Sequence, residues 1–160
     1  MALVMTLEFW RVLLTKRVVE ESIVVRASAA QIFDLLATPS KHPVIDGSSS
    51  VKATIEAPER LSLGAEFRMD MKIGAKYKIT NKVVEFDEGR VIAWRHFGGH
   101  IWRYEISEGE DGTARVTEQF DYRSAKSPLI LEIMGAPKNN RRAMAKTLQN
   151  LKAFVEEGSI

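Results

Sequence analysis

The sequence predicts an α+β fold: a curved antiparallel sheet of about seven strands wrapped on a long C-terminal helix, with two short helices after the first strand. Three observations predict it. Apolar residues recur at every second position through most of Val51–Ala125, and Gly or Pro marks the breaks. After Ser127 the apolar spacing lengthens to that of a helix. The whole occupies 160 residues, 45% hydrophobic and 28% charged, which is one domain's worth of ordinary globular chain.

The elements follow in order. Val18–Arg26 is rich in Val and Ile and reads as a strand. Ser28, with Gln31 at the third helical position, is an N-cap for a helix to about Ala37 that buries Ile32, Phe33, Leu35 and Leu36. Thr38-Pro39 stops that helix, Pro43 shortens the next turn, and Gly47-Ser48-Ser49-Ser50 is a loop. Strands are expected over Val51–Ala57, Ala65–Ile73, Tyr77–Phe86, Val91–Phe97, Ile101–Ser107 and Ala114–Arg123, joined closely enough for a meander. Ser127-Pro128 opens a final helical region, and Gly135 and Pro137 break or kink it. Its long second part, Lys138–Glu156, carries Met144, Leu148, Leu151 and Val155 on one stripe, with Arg142, Lys146 and Lys152 off it. That helix is the element long enough to cover the apolar face of the sheet. A concave sheet cannot interlock with one helix along its whole surface, so the space between them is filled by large side chains or kept for a ligand.

Composition narrows the function classes. The absence of cysteine excludes disulfides, thiol nucleophiles, iron–sulfur clusters and cysteine zinc sites, and fits a cytoplasmic protein. The charge balance, 23 − 21 = +2, gives no reason to expect nucleic acid, although a pI of about 8.9 allows a weak basic patch. No apolar run reaches the length of a membrane span. Residues 1–17 read as an N-terminal extension to a domain over 18–160, and Met1–Leu14 as neither signal peptide nor anchor, because Glu8 and Arg11 interrupt it. It either lies on the domain as a short element or forms an apolar flap, with Phe9 and Trp10, over a groove or a partner chain, which leaves a homodimer open. No Walker loop, dinucleotide fingerprint or EF-hand loop occurs, so neither cofactor nor metal is expected. His96 and His100 have the spacing of helical metal ligands, but Phe97-Gly98-Gly99 between them favours a hairpin. Lys138, Arg141, Arg142 and Lys146 form a basic run whose ordinary reading is a solvated face, the alternative being a site for an anionic membrane surface or a nucleic-acid phosphate.

Alternation assigns the faces. Phe67, Met69 and Met71 turn inward between charged neighbours, and Tyr77 and Ile79 do the same. Pairing Ile73 with Tyr77 puts Asn81 inside, opposite Met69. His100, Trp102, Tyr104 and Ile106 form the next inward set; pairing Ile106 with Val116 aligns Tyr104 with Glu118 and Trp102 with Phe120. A three-residue loop Phe97-Gly98-Gly99 pairs Trp94 with Trp102, so both go inside with His96. The inward surface is therefore mostly Met and aromatic, with a polar minority. A carboxylate there is costly unless paired. Either Glu118 and Tyr104 satisfy each other in a plain core, or they form the polar end of a ligand cavity. The candidate lining set is Phe33, Met69, Met71, Asn81, Trp94, His96, Trp102, Tyr104, Glu118, Phe120, Met134, Met144 and Leu148. Flexible thioethers suit a cavity wall as well as an irregular core.

Ile23-Val24-Val25-Arg26-Ala27-Ser28, Ala30–Ala37, Thr38-Pro39, His42-Pro43 and Asp46-Gly47-Ser48 together resemble the opening of the START-like, polyketide cyclase/dehydrase superfamily. Trp102-Arg103-Tyr104-Glu105, Gly112–Glu118 and the Met144…Leu148…Leu151 helix resemble its last strands and helix, so the likeness runs from about Val18 to Glu157. The resemblance implies a helix-grip fold with an internal cavity for lipids, polyketides, hormones or other apolar molecules; some members are cyclases or hydrolase regulators. Three functions are expected in turn: binding of a hydrophobic small molecule; cyclase or dehydratase activity with Glu118 or His96 as general base and Tyr104 as donor; and a protein-interaction module using the N-terminal flap or the basic helix.

Overall fold

The structure is a computed structural model in which residues 17–158 are described. The readings of Met1–Leu14 lie outside them. Strand β1 (Val18–Val25) leads into helix α1 (Ala29–Ala37), a 3-10 turn (Pro39–Lys41) and the four-residue helix α2 (His42–Ile45). Strands β2 (Val51–Glu56), β3 (Glu66–Ile73), β4 (Ala75–Asp87), β5 (Val91–Arg95), β6 (Ile101–Glu108) and β7 (Ala114–Asp121) follow, then helices α3 (Pro128–Ile133) and α4 (Ala136–Glu157). The seven strands form one antiparallel sheet in the order β1-β7-β6-β5-β4-β3-β2. The α+β helix-grip architecture expected from the sequence is present.

Local chemistry explains the elements. The Ser28 hydroxyl accepts from the Gln31 backbone N–H at 3.3 Å, and the Gln31 side chain accepts from the Ser28 N–H at 3.1 Å, closing a capping box at the start of α1. Pro137 sits in the first turn of α4 and does not break it, because proline is tolerated where no helical N–H is needed. The break lies at Gly135, at φ 71°. Met144, Leu148 and Leu151 of the expected stripe are buried, and Thr147 joins them, while Val155 is half-buried. Each fully buried aliphatic side chain contributes about 1.5–3 kcal/mol.

Two registers are as expected. Trp94 pairs with Trp102 across the Phe97-Gly98-Gly99 turn, where Gly99 adopts φ 91°. Tyr104 pairs with Glu118 and Trp102 with Phe120. One differs: the β3–β4 turn closes tightly on Gly74, so Ile73 pairs with Ala75, Met71 with Tyr77 and Phe67 with Asn81. The expected pairing of Ile73 with Tyr77 is displaced by two residues, which leaves every face unchanged. Asn81 thus stands beside Met69, not opposite it, and its amide lies 3.8 Å from the Met69 sulfur.

The outer face of the sheet is polar. Arg103 there binds Glu85 at 2.8 Å and Glu105 at 2.6 Å. On the inner face α4 packs chiefly over β1 and β7, and α1 over β5 and β6. The loop after α2 docks on α4. Gly47 donates its N–H to the Thr147 hydroxyl at 2.9 Å, and Asp46 accepts from the backbone of Ser48 and Val51. A Cβ at residue 47 would lie 2.3 Å from the Thr147 nitrogen. Gly47→Ala is therefore expected to cost about 1–3 kcal/mol in urea unfolding as the loop leaves the helix; a loss below about 0.5 kcal/mol, the range of neutral surface changes, would show that the close approach is not needed.

Candidate functional site

Because α4 covers one side of a concave sheet, the other side stays open beneath it. The resulting cavity has a volume of about 740 Å³. Its floor comes from β3 to β7: Met69, Met71, Ile79, Asn81, Trp94, Trp102, Tyr104, Glu118 and Phe120. Ala143, Met144 and Thr147 of α4 form the roof, and His42, Ile45 and the Asp46–Ser50 loop contribute to one wall. Exposed Lys72, Tyr77, Met134, Asn139 and Arg142 line its outer part, so the space opens to solvent.

The expected lining residues converge there except two. Phe33 and Leu148 are fully buried in the packed core, Phe33 edge-on to Phe86 at 5.2 Å. They point from their helices into the layer where helix meets sheet directly, which leaves no space beside them. Several residues join the wall without having been singled out for it: His42, Asp46, Ser48, Ser50, Asn140 and Arg142. Arg142 belongs to the basic run assigned to a solvated face. It is exposed, yet it stands at the mouth, whereas its neighbour Arg141 pairs with Glu21 of β1 at 2.9 Å.

The polar groups of the wall are held in defined states. Tyr104 donates its hydroxyl proton to Glu118 Oε1 at 2.7 Å, as register alignment required. Glu118 is only 4% exposed, and among the described residues its second oxygen, Oε2, has no hydrogen-bond partner. Burial outweighs the Tyr104 bond and, with the charge of Asp46, pushes the Glu118 carboxyl up to about 8. Burial beside that carboxylate raises the Tyr104 hydroxyl well above its ordinary range. His42 donates from Nε2 to the Leu36 carbonyl at 2.8 Å and stacks on Trp94 at 5.0 Å; burial lowers it to about 4, so it is neutral. His96 and His100 stack at 4.5 Å on the hairpin. Burial lowers both, and the charge of His96 adds to the effect on His100, which falls to about 4. His96 Nδ1 accepts from the Gly98 N–H at 3.1 Å, which leaves its proton on Nε2. Among the described residues no group of three His, Asp or Glu side chains could hold a metal ion, and no helix is long and apolar enough to cross a membrane.

A Met- and aromatic-lined hollow gripped between a seven-stranded sheet and a terminal helix defines the helix-grip fold. The chain belongs to the family described as polyketide cyclase/dehydrase and lipid transport, whose model matches residues 16–156. It is 36% identical over 145 residues to the uncharacterized protein Rv0088 of Mycobacterium tuberculosis, covering 88% of this chain and 65% of that protein. It thus spans about two thirds of the length of that relative. Among solved structures, protein Ms6760 of Mycobacterium smegmatis superposes with a TM-score of 0.64 at 20% identity, covering 88% of this chain and 94% of that one. The di-domain ARO/CYC StfQ from the steffimycin biosynthetic pathway superposes with a TM-score of 0.64 at 17% identity, over 89% of this chain and 51% of its own. Those two likenesses establish the fold.

The displaced titrations set the pH range of stability. The unfolded chain protonates its imidazoles near 6.5, but folded His42 and His100 stay neutral to about 4, so stability falls as pH drops below 6.5. Folded Glu118 keeps a proton that the unfolded chain loses near 4.5, so its contribution is lost as pH rises towards 8. Urea unfolding is expected to give a maximum near pH 6.5 and a loss of about 1 kcal/mol by about pH 9. Glu118→Gln should flatten the alkaline limb and steepen the acid limb above pH 4.5, where the proton held by Glu118 opposes the effect of the histidines. An unchanged alkaline limb in that variant would contradict the assignment.

Proposed function

We propose that the chain binds a hydrophobic small molecule, a lipid, a polyketide or one like them, in the cavity between the sheet and α4. The observation that carries this is the wall itself: about 740 Å³ bounded by Met69, Met71, Trp94, Trp102, Phe120 and Met144, with polar groups set among them. Ligand sites of roughly 300–1,000 Å³ have this make-up. Thioether side chains rearrange at little cost, which suits ligands of varied outline. Family membership supports the reading, since the family's description joins polyketide and lipid chemistry.

A second reading, cyclase or dehydratase activity on a polyketone, has one specific observation behind it. Tyr104 and Glu118 form a hydrogen-bonded pair in the wall, and a carboxyl that titrates near 8 is close to the range where a group both gives and takes protons at neutral pH. Of the two candidate bases Glu118 is the better placed. The lone pair of His96 is engaged by Gly98, so that imidazole offers a donor instead. On this reading Glu118→Gln reduces turnover of an aromatase-type polyketone substrate by roughly 100-fold or more, while His96→Ala has a small effect.

Binding is tested with N-phenyl-1-naphthylamine, whose emission rises in an apolar site. The protein is expected to take up the dye and release it to a long-chain fatty acid or a polycyclic ketone. Met71→Glu, which puts a carboxylate in the floor, should weaken uptake by about tenfold or more. Lys78→Glu, on the solvent side of the neighbouring strand, should leave uptake unchanged. No uptake by the parent protein, or equal uptake by Met71→Glu, would reject the proposal.

A further inference from the structure

We infer that helix α3 and the tip of the β5–β6 hairpin form a docking surface for an anionic lipid bilayer. Phe97, Leu129, Ile130, Ile133 and Met134 enter the headgroup layer, and Lys126, Lys138 and Arg142 meet the lipid phosphates. The surface lies beside the cavity mouth, and its docking does not depend on what the cavity holds.

Helix α3 packs half-buried Leu131 against the small cluster of Phe120, Tyr122 and Met144. Its other apolar side chains, Leu129, Ile130 and Ile133, stand exposed with Met134 at the C-cap, Ile133 at 85%. Exposed apolar residues are ordinary singly, whereas a contiguous run marks an interaction surface. The hairpin tip extends this run. The Lys126 N–H, just before α3, donates to the Gly98 carbonyl at 2.8 Å, and the Ser124 hydroxyl donates to that of Gly99 at 2.9 Å. Exposed Phe97 is thereby held beside the lead-in to α3. Cations border the run. Lys126 precedes the helix, Lys138 and Arg142 follow it one turn apart on α4, and Lys72 stands at the mouth. All four are exposed, and among the described residues none forms an ion pair. The acid of α3 itself, Glu132, is paired with Arg17 at 3.1 Å.

Charge decides between occupants. A second copy seated through α3 by a two-fold axis would set these cations against their own mates, where like charges repel. An anionic bilayer answers both parts of the surface. The acyl boundary takes the apolar run, and the phosphates attract the cations, each giving a severalfold gain in affinity. Lys and Arg side chains are long enough to keep their charge among the headgroups while their apolar neighbours go deeper. Leu131 and Met134 also line the cavity, so a protein docked this way presents its mouth to the membrane.

Co-sedimentation of the full chain with large vesicles tests the inference. At roughly 0.1 M salt, vesicles of phosphatidylcholine and phosphatidylglycerol in about a 2:1 ratio should bind at least about tenfold more tightly than phosphatidylcholine alone. That preference should shrink at roughly 0.5 M salt. Ile130→Ser combined with Ile133→Ser removes apolar contact without adding charge and should weaken binding by about tenfold or more. Lys138→Gln combined with Arg142→Gln should remove most of the preference for phosphatidylglycerol. All four side chains are exposed, so these changes leave the fold in place. Leu63→Ser, at an exposed apolar residue of the β2–β3 loop, should change nothing. No binding by the parent protein, equal binding to both kinds of vesicle, or undiminished binding by the double isoleucine variant overturns the inference. A parent dimer that the isoleucine substitutions split, with no vesicle binding, gives the face to a second copy and overturns it too. Vesicle binding without dye uptake sinks the cavity reading and leaves the docking surface standing.

Discussion

The mismatch between a concave sheet and a straight helix governs everything else in this molecule. A helix presses on a sheet along a strip, and α4 finds its strip over β1 and β7, where Met144, Leu148 and Leu151 are fully buried. Helix α1 fills a second strip over β5 and β6 with Ile32, Phe33 and Leu36. Between the strips Met71, Trp102 and their neighbours on the inner face border the cavity. The core therefore divides into a large cluster around α1 and a smaller one around Phe120, Tyr122 and Met144, and both contribute to the cavity wall.

Solvent relations follow from this division. The same strands that line the hollow turn Arg103, Glu85 and Glu105 to water on their other face, so the sheet is amphipathic strand by strand. Polar groups that fall on the inner face meet a different medium, and their proton equilibria move accordingly. Imidazoles there stay neutral and the Glu118 carboxyl holds its proton, because charge is disfavoured on both kinds of group. Among the described residues Tyr104 satisfies one oxygen of that carboxyl and none satisfies the other.

Period-two patterning made most of this legible in the sequence. Faces are robust to error: the β3–β4 register expected from the sequence was displaced by two residues, yet Met69, Met71 and Ile79 still face inward. Turn chemistry did the rest at Phe97-Gly98-Gly99, where the choice of loop length decided whether Trp94 joins Trp102. The roof and the loop wall were harder to see. His42 is a lone imidazole between Lys41 and Pro43, and only the short helix α2 turns it onto Trp94. Asp46–Ser50 reads as a polar loop, and its place in the wall depends on the close approach of Gly47 to α4, a contact across a hundred residues. Arg142 lies off the apolar stripe, as expected, but a helix that borders a hollow has three environments and not two. Periodicity separates core from solvent and cannot mark the rim. The same limit explains Phe33 and Leu148, which share the inward signature of cavity residues and are packed solid.

A hollow of this size is not a packing flaw. Dry, unfilled space costs about 24 cal/mol per Å³, so 740 Å³ left empty would cost about 18 kcal/mol, more than the roughly 5–15 kcal/mol by which domains are stable. The space is therefore wetted or filled, and its open mouth makes wetting possible. Water against half-buried Met71 and Trp102 leaves apolar surface unburied, which holds back stabilisation that an apolar occupant restores. The lip points the same way. Helix α3 buries none of its residues, and Leu129, Ile130, Ile133 and Met134 stand exposed in succession, with Met134 itself on the cavity wall. A run of exposed apolar side chains leading into an apolar interior offers a poorly soluble molecule a continuous path out of water. Stability alone selects against such a surface, and it lies beside the mouth of the cavity.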